Sequence, residues 1–89
     1  MQTEKTDVSK RITWSDAREL AGEVALHRLT EPMLLSWLDR STGQHSPPVD
    51  CCKENGKEAW EIYAESRGGK LRVEVGDQYV FIFGEGIGA

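Results

Sequence analysis

The run Tyr79-Val80-Phe81-Ile82-Phe83 constrains this chain more than any other segment. In an extended strand Val80 and Ile82 point to one face, and Tyr79, Phe81 and Phe83 point to the other. Both faces want burial, so the strand has to lie inside a sheet that is covered on two sides. The preceding run, residues 71–75, alternates Leu71, Val73 and Val75 with Arg72 and Glu74, the pattern of a strand with one face in water. Gly76-Asp77 marks a turn between the two. Residues 60–66, Trp60 to Ser66, also alternate with a period of two, and Gly68-Gly69 follows as a second turn. Three strands joined by two tight connections predict an antiparallel meander.

The cover for one face is found earlier in the chain. Thr13 followed by Asp16 is a helix-start pattern, with Ser15 an equally good cap and Asp16 and Glu19 suited to the positive end of the helix dipole. Ala17, Leu20, Ala21, Val24, Ala25 and Leu29 then recur at i, i+3, i+4 and i+7, which predicts an amphipathic helix running to about Leu29. Gly22 costs such a helix about 1 kcal/mol against alanine, and close packing on a sheet is the reason expected for it. Pro32 ends the helix, and residues 33–38 form a short run apolar on both faces, predicted as a further strand. The fold class expected is α+β: an N-terminal amphipathic helix on a mainly antiparallel sheet of about four strands. One domain spans residues 12–84, between a flexible lead-in, residues 1–11, and a flexible glycine-rich tail, residues 85–89.

One helix covers one face. The aromatic remainder, Tyr79, Phe81 and Phe83 with Tyr63 and Trp37, then needs a second cover, from the long polar loop of residues 39–56 or from another copy of the chain. With 89 residues the core is modest, and small cores are often completed by a partner subunit. A homodimer through those five residues is the expectation.

Charge removes some partners. The formal net charge is -4 and the isoelectric point about 5.1, so no positive field draws in nucleic acid or an anionic membrane surface. No apolar run approaches the ~20 residues of a spanning helix, and residues 1–10 lack the apolar stretch of a signal peptide. Cys51 and Cys52 are adjacent, at a spacing too short for an unstrained disulfide. A reducing cytoplasm is the compartment expected.

The chemistry on offer is sparse. His45, Asp50, Cys51 and Cys52 are the candidate metal ligands, because imidazole, carboxylate and thiolate are the groups zinc uses, but the Cys-x-x-Cys spacing of zinc sites is missing. A buried cysteine filling a small apolar hole is the simpler explanation. His45 is the sole histidine near enough in sequence to activate a cysteine nucleophile, and no family signature surrounds either thiol. A strained Cys51-Cys52 disulfide would suit a reversible redox switch better than a staple. The carboxylates Glu61, Glu65, Glu74, Asp77 and Asp39 fit cross-strand charge pairs on a wet sheet face. Ser66-Arg67-Gly68-Gly69-Lys70 joins two predicted strands, so a hairpin turn accounts for it and a phosphate loop does not. Gly84-Glu85-Gly86-Ile87-Gly88 has no helix after it and is no dinucleotide motif. No catalytic residue and no cofactor are assigned.

The runs at residues 33–39, Ser46-Pro47, Cys51-Cys52, residues 60–64, 71–75 and 79–83 together resemble a small uncharacterised bacterial family of single-domain proteins, a domain of unknown function. The resemblance covers residues 15–83 and implies an α+β fold in the bacterial cytoplasm, with no activity to carry over. The function expected is a non-enzymatic interaction domain that self-associates through its sheet. The alternatives are a metal-binding or thiol-redox module using the loop from His45 to Cys52, and an enzyme whose site is not recognisable from its residues.

Overall fold

A computed structural model of the chain describes residues 1–8, 11–48 and 57–86. The elements in chain order are β1 (Gln2–Thr6), α1 (Trp14–Arg28), β2 (Pro32–Asp39), β3 (His45–Ser46), α2 (Ala59–Ser66), β4 (Leu71–Val75) and β5 (Tyr79–Glu85). The strands form one sheet in the order β1-β4-β5-β2-β3, which puts the doubly apolar β5 at its centre. β5 pairs antiparallel with β4 on one side and with β2 on the other, Phe81 lying opposite both Val73 and Trp37.

The α+β class and the helix over α1 are as the sequence predicts. Thr13 caps α1, its hydroxyl accepting from the Asp16 N–H at 3.1 Å. Ala17, Ala21 and Ala25 face the sheet without exposure, and these small side chains bring the helix close to Leu71, Val73, Val75, Tyr79, Phe81 and Phe83. The Leu29 N–H closes the helix on the Ala25 carbonyl.

Residues 60–66, expected as a strand, are helical and lie in α2. Trp60 and Ala64, four residues apart, share a helix face and pack on Val80 and Ile82 with Leu35 and Leu38. Glu61 accepts from the Glu58 N–H at 3.4 Å, half of a capping box at the helix start. The two periods, 2 and 3.6, are hard to separate over eight residues, and tertiary burial of Trp60 decides between them.

The sheet is mixed and has five strands. Residues 1–11, expected as a flexible lead-in, contribute β1, which runs parallel to β4 with Gln2 opposite Leu71 and Thr6 opposite Val75. β1 is an edge strand, so its polar side chains carry no hydrophobic period. In the tail expected over residues 85–89, Glu85 belongs to β5 and the Gly86 N–H donates to the Glu31 carbonyl at 2.7 Å. Residues 87–89 lie outside the described residues.

The two helices lie on opposite faces of the sheet, α1 over one hydrophobic cluster and α2 over the other. A register shift between Leu34 and Ser36 marks a bulge in β2. Leu34 packs with the α1 cluster, and Leu35 with the α2 cluster. Beside the bulge, the buried Ser36 hydroxyl has no hydrogen-bond partner among the described residues.

Candidate functional site

The five residues expected at a dimer interface are placed by the chain's own helices. Tyr79, Phe81 and Phe83 are buried under α1, at 4%, 0% and 1% exposure. Trp37 is half-buried against Trp14, their ring centroids 5.2 Å apart. Tyr63 is half-buried on α2, with the Arg67 guanidinium 5.2 Å over its ring. α1 itself covers this aromatic face, and α2, a helix the strand reading had hidden, covers the opposite face of Val80 and Ile82. The aromatic face of β5 is therefore intramolecular core.

Of the candidate ligands, His45 is described, while Asp50, Cys51 and Cys52 lie outside the described residues. His45 Nδ1 donates to the Pro47 carbonyl at 3.0 Å, which fixes a proton on that nitrogen. His27 is exposed near the end of α1. Among the described residues no group of three His, Cys, Asp or Glu side chains could hold a metal ion.

The carboxylates are held in structural bonds. Arg72 on β4 bonds Glu61 of α2 and Glu74 of its own strand, both at 3.1 Å, and lies 5.8 Å over the Trp60 ring. Lys57 pairs with Glu65 at 2.6 Å, and Arg28 with Glu4. At the end of β2, Asp39 accepts from the Ser41 N–H at 2.9 Å and from its hydroxyl at 2.7 Å. Burial alone would raise the Asp39 carboxyl; the Ser41 bonds, aided by Thr42 and Gln78, outweigh it and hold the group below its ordinary value. Gln78 Nε2 donates to Ser41 Oγ and to Tyr79 Oη, and the Tyr79 hydroxyl donates to the Ile12 carbonyl at 3.0 Å. Burial, then the Asp39 charge, pushes the Tyr79 hydroxyl up. Glu85 accepts from the Glu31 and Thr30 N–H groups at 2.8 and 3.1 Å, which holds its carboxyl down. Each perturbed group thus ties a turn or a connection to the sheet.

What stays open is a groove of about 550 Å³ on the flank of α1, lined by Arg18, Glu19, Gly22, Glu23, Leu26, Pro32 and Phe83. Pro32 lies in its wall, Leu26 on its rim is 65% exposed, and the Arg18 guanidinium lies 5.4 Å over the ring of the buried Phe83. Gly22 faces this groove rather than the sheet. A Cβ placed on it meets only the tip of Arg18, at 3.0 Å. Sequence reasoning gave Glu19, Gly22, Pro32 and Phe83 other roles and passed over Leu26, although Leu26 was a usable sign: it is apolar and lies off the stripe of Ala17, Ala21 and Ala25. A second groove, of about 390 Å³, lies where β1, β4 and the start of α1 end together, with Asp7, Arg11 and Asp77 in its wall. A third, of about 240 Å³ between α2 and β1, is lined by the paired charges of Lys57, Glu61, Glu65 and Arg72.

A five-stranded mixed sheet with one helix on each face, its ionisable groups engaged in fastening turns, defines a small three-layer α+β domain. No helix among the described residues is long and apolar enough to cross a membrane. Residues 1–83 match the family described as Domain of unknown function (DUF5619), and the chain belongs to that family. The chain is 34% identical over 79 residues to an uncharacterized protein of Archaeoglobus fulgidus, across 89% of this chain and 81% of that one. The fold is similar to the crystal structure of the protein AF1514 from the same organism, with a TM-score of 0.84 and 31% identity, covering 100% of this chain and 99% of the other. The resemblance read from the sequence is to this family, and these relatives are archaeal where a bacterial setting was expected.

Proposed function

We propose that this chain is a non-enzymatic interaction domain that self-associates in the cytoplasm. One observation carries the reading: Leu26 stands exposed on the rim of the groove beside α1, while the perturbed ionisable groups are spent on internal bonds. The reading needs no cofactor and assigns no catalytic role. Self-association stands on a different surface from the one the sequence suggested, since Tyr79, Phe81 and Phe83 are already covered.

Native mass spectrometry of the untagged protein, purified without chelator across a dilution series, tests this. The expected result is a metal-free dimer that dissociates on dilution and is unchanged in the Cys51→Ser, Cys52→Ser variant. One bound ion per chain, lost in that variant, would replace the proposal with a metal module built on the loop from His45 to Cys52. A mass shift of a disulfide that reductant reverses would replace it with a thiol switch.

A further inference from the structure

We draw no further inference here: the strongest candidate, the outer edge of β1 at the end of the five-stranded sheet, carries nothing, because nothing in the structure shows what covers it and its charged Glu4 and Lys5 are the kind of side chain that keeps such an edge from pairing.

Discussion

Ser36 and Asp39 lie three residues apart on β2, both buried, and handle a buried polar atom in opposite ways. The Ser36 hydroxyl is unpartnered among the described residues, and a buried polar group without a partner is destabilising. Ser36→Ala is expected to raise stability by about 1 kcal/mol in urea unfolding, the value of a relieved desolvation penalty. Asp39 is fully engaged by the Ser41 turn, so Asp39→Asn is expected to lower stability at neutral pH by about 1 kcal/mol. Both Asp39 and Glu85 sit below their ordinary values when folded, so the unfolded chain binds more protons than the folded one in acid. Their contribution is present above about pH 5 and is lost as the pH falls through the carboxylate range near 4. Urea midpoints measured from pH 7 to pH 3 should fall with that profile. Asp39→Asn and Glu85→Gln should each flatten it, and an unchanged slope in both would remove the acid effect from these residues.

Between neighbouring elements the sequence was legible where hydrophobic period and capping agreed. In α1, Thr13 and the alanine stripe point to the same helix, and both are seen in the structure. In β4 and β5 the alternation and the Gly76-Asp77 turn give the hairpin and its register. In α2 the two periods coincide: Trp60, Ile62 and Ala64 alternate, yet Trp60 and Ala64 are also one helical turn apart. The spacing of Glu58 and Glu61, with the good helix formers Ala59, Ala64 and Glu65, was the local sign of a helix. β1 was not legible, since an edge strand of Gln, Thr, Glu, Lys and Thr is recruited by β4 far along the chain. The candidate groove was half legible: Leu26 stands out on the helix wheel, but Pro32 and Phe83 in its lining come from two strands. Trp60→Ala empties the centre of the α2 layer and is expected to cost about 3–5 kcal/mol. A melting curve that hardly moves would mean α2 does not carry that face.

For the whole molecule, the two-sided cover explains how so short a chain contains a strand apolar on both faces. α1 and α2 each supply alanines at the contact, Ala17, Ala21 and Ala25 on one side and Ala64 on the other. The layers are therefore thin and the aromatic rings of β5 fill them. Phe81→Glu places a charge at a site without exposure and is expected to leave the chain unfolded at any concentration, as judged by circular dichroism. A folded monomeric Phe81→Glu variant would return that face to the surface and with it the interface first read from the sequence.

The position of β5 has a further consequence for how the chain comes together in time. The sheet's central strand is the last strand of the described chain, and it alone bridges β4 to β2. Until β5 is present, β1 with β4 and β2 with β3 are two unconnected ribbons, each too small to hold itself together in water. The pairings that close the sheet, Gln2 with Leu71 and Pro32 with Glu85, join segments far apart in sequence. Folding of such a topology is slow and all-or-none. A ribosome making these strands therefore holds no stable half of the sheet: the nascent segment stays open to chaperones and proteases until β5 emerges.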